Sequence, residues 1–318
     1  MVNLKGQKIL FIGIGFYDYD EAIKNALAQQ GAELSYINSS KRLFSLRIAN
    51  LLGLDKIAKR VRSKYILNKI NNSNNNDIVF VVKGENLDDT ELKTLRKNNP
   101  RAKFILYLWD SLIRLSNTKL LFENFERILS FDRIDCENIP NIKFRPLFYR
   151  SLVISKSKKY DLFFVGWMHS DRLELLRKFK NQLIADEKSY YMKLYMGSFQ
   201  YFIQRYITHI LKAGDEDLII TKPLNYHKIQ QIVAQSTMVL DIAHKLQSGL
   251  TMRTIETFAS GCHLLTTNHD IINYDDISSS MYSIFDRTNP VIPNIDRKSQ
   301  LGLSKNYSLD SFIDQIFA

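Results

Sequence analysis

The 318-residue chain has few of the residues that mark several classes of protein. Its two cysteines, Cys136 and Cys262, lie far apart and form neither a CxxC pair nor a metal-spaced cluster, which argues against a cysteine framework of either kind. We expect free, mostly buried thiols in a reducing compartment. The 12 glycines and 6 prolines are too few for a collagen-like or linker-dominated chain.

Long hydrophobic segments are also missing. The longest apolar run near the start, residues 9–16, is far shorter than the roughly 20 residues that span a bilayer. An acidic stretch at 17–21 follows it without a small-residue cleavage site, so a signal peptide is not expected. We interpret the run as the buried first strand of a cytoplasmic protein.

What the chain does contain is the composition of a folded protein with an excess of positive charge. It is 45% hydrophobic and 24% charged, which excludes wholesale disorder. At about 150 residues per domain, its length suggests two domains, each large enough to bury a core. The net charge of +11 favours an anionic partner, namely nucleic acid, an anionic membrane surface or a phosphorylated ligand.

Short apolar runs alternate with longer amphipathic stretches along the whole chain. This pattern is typical of parallel sheets covered on both faces, and it predicts an α/β protein with two Rossmann-like, doubly wound domains. The predicted strands are Lys8–Ile12, Glu33–Ile37, Asp77–Val82, Lys103–Trp109, Arg127–Phe131, Tyr160–Val165, Tyr190–Met196, Asp217–Thr221, Met238–Ile242 and Cys262–Thr267. The predicted helices include Glu21–Gln30, Ser170–Phe179, Met252–Ser260 and Leu309–Phe317.

The predicted domain boundary lies within residues 140–159, which contain two prolines and a basic run. We therefore assign residues 1–150 to an N-terminal domain and 151–318 to a C-terminal domain. The sequence leaves open which of them the last helix packs on. Two such domains place a cleft between the carboxyl ends of their strands, where ligands bind in this class of fold. Candidate functional residues should therefore follow strands.

Residues 247–261 carry the most specific pattern in the chain. Thr251 is placed to cap a helix whose first-turn N–H groups can hold an anion such as a diphosphate. Arg253 can add a charge-assisted contact, and Glu256 can accept hydrogen bonds from the cis-diol of a ribose. The alternative is a surface Arg–Glu pair. The residues assigned to donor binding here are Gly249, Leu250, Thr251, Arg253 and Glu256.

A second candidate anion site follows the predicted strand at 160–165. Gly166 permits a tight turn, and Ser170 or Asp171 can cap the next helix. Arg172 then lies in the first turn, where the helix dipole disfavours a cation. Its position suggests diphosphate binding, and the alternative is an arginine that reaches over the sheet edge.

Other residues are less specific candidates. His169 is placed to join the same site, although it also fits an ordinary loop histidine. Lys222, after a predicted strand, can reach the phosphates or the base. Asn268, His269 and Asp270 follow another strand and can line a sugar pocket.

The loop after the first strand begins like a dinucleotide-binding fingerprint. Gly13 and Gly15 fit it, but the third glycine is absent. The second strand also ends without an acidic residue, so NAD is not expected to bind.

The pattern GL-x-x-R-x-x-E-x-x-A-x-G at 249–261, followed by an apolar strand and Thr-Asn, resembles the donor-site helix of GT-B glycosyltransferases. More closely, the chain resembles bacterial polysaccharide-biosynthesis enzymes related to the spore-maturation-type, group 1-like transferases. The resemblance implies a GT-B fold whose C-terminal domain binds a nucleotide-diphosphate sugar and whose N-terminal domain presents the acceptor. Further segments that carry it are 83–85, 107–111, 130–132, 145–149 and 166–172.

The resemblance also suggests where a catalytic base would lie. Inverting GT-B enzymes often present it on a loop such as the one that holds Asp18 and Asp20, and Glu85 and Asp110 occupy other strand ends. Each of the four also fits a solvated acidic loop residue. Many retaining members carry a second glutamate where this chain has Ser248, so retention and inversion both stay open.

Neither a metal nor a cofactor is expected. Asp18 and Asp20 match the short acidic motif that holds a metal in the other glycosyltransferase fold, but nothing around them supports that interpretation. Helix N–H groups together with Arg172, Arg253 or Lys222 can stabilise a leaving diphosphate without a metal ion.

Residues 40–70 form a basic amphipathic stretch. Nine lysines and arginines stand against one acidic residue, Asp55, and apolar residues repeat at helical spacing. Such a face suits an anionic membrane, and the alternative is an ordinary domain helix with a charged outer face. A lipid-diphosphate-linked acceptor would explain a peripheral position on the inner face of the plasma membrane.

The sequence thus predicts a glycosyltransferase of capsule, exopolysaccharide or lipopolysaccharide assembly, with a nucleotide sugar as donor and a glycan or lipid-linked acceptor. One rival is a nucleotide-sugar epimerase of the same fold. The other is a non-catalytic basic binding or scaffold protein. Nucleic acid is not an expected partner, since no aromatic-and-basic recognition module is present.

Overall fold

The structure is a computed structural model that describes residues 2–16, 18–41, 53–244, 247–295 and 303–318. The chain divides into two compact units. The first comprises Met1–Phe148, Leu246–Gly249 and Asn306–Ala318. The second comprises Tyr149–Lys245 and Leu250–Lys305.

Each unit is built on one parallel sheet, with six strands in the described part of the chain. Their order is β2-β1-β3-β4-β5-β6 in the first unit and β12-β11-β10-β7-β8-β9 in the second. The strands of the first unit are β1 (Lys8–Gly13), β2 (Glu33–Asn38), β3 (Ile78–Val82), β4 (Lys103–Leu108), β5 (Arg127–Ser130) and β6 (Ile142–Phe144). Those of the second are β7 (Tyr160–Trp167), β8 (Tyr190–Tyr195), β9 (Ile219–Ile220), β10 (Ser236–Asp241), β11 (His263–Thr266) and β12 (Tyr282–Ile284).

Helices connect most of these strands. The α-helices are α1 (Tyr19–Gln29), α2 (Asp55–Ile70), α3 (Asp89–Asn98), α4 (Arg133–Asn138), α5 (Arg172–Ala185), α6 (Ser198–Phe202), α7 (Tyr226–Ala234), α8 (Met252–Ala259) and α9 (Leu309–Phe317). A π-helical turn, Ile203–Ile207, continues α6. Short 3-10 helices lie at Ser116–Asn124, Glu216–Leu218, His269–Asn273, Ser279–Met281 and Lys305–Tyr307.

The predicted α/β fold with two Rossmann-like domains is confirmed. Its strands read as continuous apolar runs because both faces of the sheet are buried; every residue of β3 and of β10 is buried. The predicted strand ends agree to within two residues. At 217–221 a 3-10 helix replaces the first part of the predicted strand and leaves only the two residues of β9. The pattern missed β6 and β12, which have three residues each and offer too little periodicity to recognise.

The C-terminal helix packs on the first unit, a point that the sequence left open. The ring of Phe312 lies 4.8 Å from that of Tyr107 and 4.6 Å from that of Phe148 between centroids. Arg127 donates to the main-chain oxygen of Gln315 at 2.6 Å. The compact units therefore differ from the contiguous division at 150, because the chain returns to the first unit near its end.

Helix α2 contains the described part of the basic stretch. It buries Ala58, Ile66 and Ile70 on the core side. Ile57 is exposed, as is Leu54 just before the helix. Residues 42–52 of the predicted membrane face lie outside the described residues. Among the described residues, no helix combines the length and the apolar character that a bilayer span requires.

Candidate functional site

Three arginines of the second unit bond to the main chain where β7 and β10 end. Arg172 donates to the oxygens of Trp167 at 3.2 Å and Ile242 at 3.3 Å. Arg253 donates to the oxygens of Val165 and Leu240. Arg287 donates to the oxygen of Ala243 and to both carboxylate oxygens of Asp171 at 2.9 Å. These three residues are called the arginine cluster below.

The arginine cluster contains more positive than negative charge. The pKa of Arg172 is lowered to about 10, mainly by burial and also by the charges of Arg253 and Arg287, against the opposing effect of Asp241 and Asp171. The Nε atom of Arg172 is buried and has no hydrogen-bond partner among the described residues. A bound anion would relieve the repulsion among the guanidiniums.

Gly166 makes room for this arrangement. A Cβ atom there would lie 2.8 Å from the ring of Phe164 and 3.2 Å from Nη1 of Arg172. The guanidinium carbons of Arg172 and Arg253 lie 5.8 and 5.0 Å from the centre of that same ring. Both cations are thus held against one aromatic ring, which stabilises charge in a partly buried place.

The start of α8 lies beside the end of β10. Thr251 is the N-cap, as predicted: its side chain accepts a hydrogen bond from the Thr254 N–H at 3.1 Å. The hydroxyls of both threonines donate to Asp241, at 3.0 and 2.9 Å. Asp241 therefore fixes the turn that aims the positive end of the α8 dipole.

Leu250 and Gly249 precede that turn and are both buried. Leu250 belongs to the second unit, whereas Gly249 belongs to the first. A Cβ atom at Gly249 would lie 2.5 Å from the ring of Phe131. Packing against Phe131 within the first unit therefore explains why a residue without a side chain stands at position 249.

Glu256 lies on α8 with its carboxylate already held by α7. Tyr226 donates to one oxygen at 2.7 Å and Gln230 to the other at 2.8 Å. The guanidinium of Arg150 stacks on Tyr226, 3.2 Å from the ring centre. Burial and the Glu256 charge raise the pKa of Tyr226, so its hydroxyl stays a donor. A carboxylate has about four acceptor positions, so it can accept several hydrogen bonds at once.

Among the less specific candidates of the second unit, His169 is linked to the arginine cluster through its main-chain oxygen, which accepts from the Arg172 N–H at 3.4 Å. His169 is exposed, with Nδ1 3.1 Å from the hydroxyl of Ser170. Lys222 is exposed after β9, two strands away from β7. Asn268 is buried and caps the 3-10 helix at 269–273, where it accepts from the Asp270 N–H at 3.0 Å; His269 is exposed.

In the first unit, one lysine joins two of the predicted catalytic carboxylates. Lys83 lies 2.9 Å from Glu85 and 2.8 Å from Asp110, and Arg114 lies 2.8 Å from Asp110. Burial opposes the charge of Lys83, but its bonds to Asp110 and Glu85 outweigh burial and raise its pKa. Lys83 and Gly84 both have left-handed backbone, with φ of 69° and 71°. The strand end is thus shaped to bring these groups together.

The other two predicted catalytic residues lie in different environments. Asp20 is buried and accepts from the Gly15 N–H at 2.8 Å and the Tyr36 hydroxyl at 2.6 Å. Asp18 is exposed and precedes α1 without a side-chain cap. Asp20 therefore holds its own loop, which is the work of a structural carboxylate.

Two groups were not among the site residues predicted from the sequence. Arg287 follows β12, a strand that was not predicted, so the rule that candidates follow strands did not reach it. Asp132 and Asp135 form a buried pair in the first unit, bonded to the hydroxyls of Ser111 and Ser130 respectively. Burial raises the pKa of Asp135 to about 6. Within the described ranges, no group of three or more His, Cys, Asp and Glu side chains is placed to hold a metal ion.

Solved structures share the fold. The UDP-GlcNAc 2-epimerase of Methanocaldococcus jannaschii, solved with UDP-GlcNAc and UDP, superimposes with a TM-score of 0.57 at 10% identity, over 98% of this chain and 99% of that one. MurG of Acinetobacter baumannii gives 0.52 at 10% identity over 98% and 99%. The trehalose-6-phosphate synthase OtsA gives 0.52 at 12% identity over 98% and 91%. These similarities confirm the predicted GT-B fold.

Comparison of the sequence, unlike comparison of the structure, finds no match. No protein-family model matches the chain, and no curated protein matches it.

Proposed function

We propose that the chain is a glycosyltransferase that moves a sugar from a nucleotide-diphosphate donor to a glycan or lipid-linked acceptor. The arginine cluster carries the proposal. Three guanidiniums and the start of α8 converge at strand ends of the second unit, and they are only partly balanced by Asp171 and Asp241. A diphosphate provides the negative charge and the oxygen acceptors that such a group binds.

The rest of the donor would bind around that diphosphate. Glu256, held by Tyr226 and Gln230, accepts hydrogen bonds from the ribose hydroxyls. The M. jannaschii epimerase was solved with UDP-GlcNAc and UDP, which supports a nucleotide sugar as the ligand of this fold. The remaining donor-site candidates are Gly166, His169, Lys222, Gly249, Leu250 and Thr251.

Transfer needs stabilisation of the leaving diphosphate and removal of a proton from the acceptor. Arg172, Arg253 and Arg287 supply the first, because fixed cations stabilise the charge that develops as the sugar–phosphate bond breaks. Asp110 or Glu85 supplies the second, since each is a carboxylate that follows a strand of the first unit and can accept a proton from a hydroxyl within hydrogen-bond reach. Asp20 is a less favoured candidate for the catalytic base because its carboxylate already holds the loop.

The acceptor belongs to bacterial polysaccharide assembly in this proposal, namely capsule, exopolysaccharide or lipopolysaccharide. The basic outer side of α2, with Leu54 and Ile57 exposed at its start, would contact an anionic membrane that carries a lipid-linked acceptor. Each basic residue near such a surface contributes about 1 kcal/mol. The protein would then work as a peripheral enzyme at the cytoplasmic face.

An epimerase of nucleotide sugars is the second candidate function. The observation that favours it is the similarity to the M. jannaschii UDP-GlcNAc 2-epimerase, which has the highest of the three TM-scores above. An epimerase consumes a nucleotide sugar without an acceptor. Incubation of the protein with UDP-GlcNAc alone separates the two: an isomerised sugar nucleotide supports the epimerase, and its absence together with UDP release on adding acceptor supports the transferase.

Calorimetric titration with nucleoside diphosphates tests the donor site directly. We expect saturable binding of a nucleoside diphosphate, and binding that is about 10-fold weaker or worse in Arg172→Lys, since lysine keeps the charge but loses the fixed fork of donors. Arg101→Lys, an exposed position in the first unit, is the matched control. Equal affinity in wild type and Arg172→Lys would remove the role of the arginine cluster. Salt-sensitive binding of polynucleotides, with none of nucleoside diphosphates, would favour the basic binding protein instead.

A further inference from the structure

The segment that follows β8 in the second unit exposes a row of large apolar side chains. Phe199 is 78% exposed, Phe202 52%, Tyr206 60% and Ile207 61%; Ile210 is 47% exposed. They lie on α6, on the π-helical turn and just beyond it. We call residues 198–210 the apolar ridge.

The apolar side chains of the ridge point to solvent and not to the core of the second unit. Phe199, Phe202 and Tyr206 are spaced three and four residues apart, which places them on one side of a helix. That side points to solvent, whereas Gln204 is half-buried, with its side-chain oxygen buried and without a partner among the described residues. An amphipathic helix normally packs its apolar stripe on the core. Here the stripe is available to something outside the unit.

The ridge is firmly attached. Arg177 donates to the main-chain oxygen of Ile210 at 2.9 Å, and Leu211, the next residue, is buried in the core. Arg205 pairs with Glu216 at 2.6 Å. The apolar side chains are thus presented from a fixed segment.

The charges around the ridge are mostly positive. Residues 197–214 contain no Asp or Glu, and they include Arg205, His209 and Lys212. Lys222 adds another cation close by, since β9 pairs with β8 and both strands leave the sheet at the same edge. The acidic residues that follow, Asp215, Glu216 and Asp217, are each paired with a cation, namely Arg177, Arg205 and Lys180.

We infer that the apolar ridge is a docking surface for an anionic lipid bilayer. Aromatic and aliphatic side chains beside basic residues suit the boundary between acyl chains and negative headgroups. A second copy of the chain fits less well, because both copies would bring a net charge of +11 to the contact. The ridge is also small: at the exposures above, five such side chains offer on the order of 500 Å², less than the roughly 800 Å² per partner of a stable complex.

The surface is distinct from the one proposed on α2, and it does not depend on the reaction. Vesicle co-sedimentation with the full chain tests it. The vesicles contain phosphatidylcholine alone or an equimolar mixture with phosphatidylglycerol. The test variant is Phe199→Ser/Phe202→Ser/Ile207→Ser. The control variant is Ile113→Ser/Leu120→Ser/Ile154→Ser, which removes exposed apolar side chains of similar size elsewhere.

We expect wild type to bind the anionic vesicles, with binding weakened by salt and much weaker on phosphatidylcholine alone. The ridge variant should partition at least about 10-fold less, while the control variant and the melting temperatures stay unchanged. As a second readout, Phe199→Trp should show emission quenched by brominated phosphatidylglycerol.

Three results would overturn the inference. The first is equal sedimentation of wild type and ridge variant. The second is loss of sedimentation only when the α2 cations are removed, in Lys56→Gln/Lys59→Gln/Arg60→Gln. The third is a wild-type dimer in light scattering that the ridge variant dissociates, which would make the ridge a contact between copies.

Discussion

Tyr226 donates its phenolic hydrogen to a carboxylate oxygen of Glu256 at 2.7 Å. The contact joins α7 to α8 and fixes a buried carboxylate, to which Gln230 also donates. A rigidly held acid is a better acceptor for a diol than a mobile one, because less motion is lost on binding. The sequence pointed to Glu256 but gave no sign of Tyr226.

Tyr226→Phe should weaken nucleoside diphosphate binding by about 10-fold and lower the free energy of unfolding by about 1.5 kcal/mol, the size of one hydrogen bond to a charged group. Titration calorimetry and urea unfolding measure the two effects. Tyr190→Phe is the control, since Tyr190 also donates to a carboxylate, that of Asp217 at 2.8 Å, but at an exposed position. Equal losses of affinity in both variants would show that the effect does not act through Glu256.

Gly166→Ala should displace side chains at the arginine cluster. The new methyl group would lie 2.8 Å from Phe164 and 3.2 Å from Arg172, so one of them has to move. We expect a loss of about 1–3 kcal/mol in stability, as for other overpacked sites, and weaker diphosphate binding. Gly197→Ala is the matched control, because a Cβ atom there meets nothing within 4 Å. A Gly166→Ala protein with unchanged melting temperature and affinity would contradict this account.

Asp20→Ala should unfold more easily, whereas Asp18→Ala should not. Asp20 is buried and accepts two hydrogen bonds, one from the main chain of its loop and one from Tyr36. Removing it leaves both donors unsatisfied, at a cost of about 2 kcal/mol or more. Asp18 is exposed, so its replacement should change the unfolding free energy by less than about 0.5 kcal/mol. Chemical denaturation measures both effects. An Asp20→Ala protein with an unchanged unfolding free energy would contradict the loop-holding role and favour Asp20 as a catalytic base.

Asp135 makes the first unit more stable as the pH falls from about 6 towards 4. Burial raises the pKa of this carboxyl to about 6 in the folded chain, from 3.8. Over that interval the folded state binds the proton first, so protonation favours folding, and the charged form is destabilised above pH 6. The shift corresponds to about 2–3 kcal/mol.

Asp135→Asn should remove this dependence. Relative to wild type, the variant should gain about 2 kcal/mol in unfolding free energy at pH 7 compared with pH 4. The chain has two tryptophans, and in a Trp167→Phe background the fluorescence of Trp109 reports on the first unit alone. Wild type and variant curves that stay parallel between pH 4 and pH 7 would show that Asp135 does not titrate there.

Much of the fold was predictable because its strands and helix starts depend on residues that are close together in the sequence. The apolar runs of β1, β3, β4 and β10 mark buried parallel strands without any knowledge of their neighbours. The cap at Thr251 was equally local, since capping depends on residues only three positions apart. The short edge strands β6 and β12 escaped because three residues carry almost no periodicity.

The candidate site was predictable only in part. Arg172, Arg253 and Glu256 stood out by their place on helices that follow strands. Arg287 and Tyr226 did not, because their contacts depend on which strands are neighbours in the sheet. The reassignment of Asp20 to a loop-holding role likewise rests on Tyr36, which reaches it from β2.

The sequence by itself determined the alternation of strands and helices, the excess of positive charge and the helix start at Thr251, since each depends on residues close together in the chain. Only the tertiary structure decided that three arginines from separate segments meet at the ends of β7 and β10, that α9 packs on the first unit, and that the apolar ridge faces outward. The reason is physical: strand order and packing bring distant residues together, and neither is encoded in the spacing of residues along one segment.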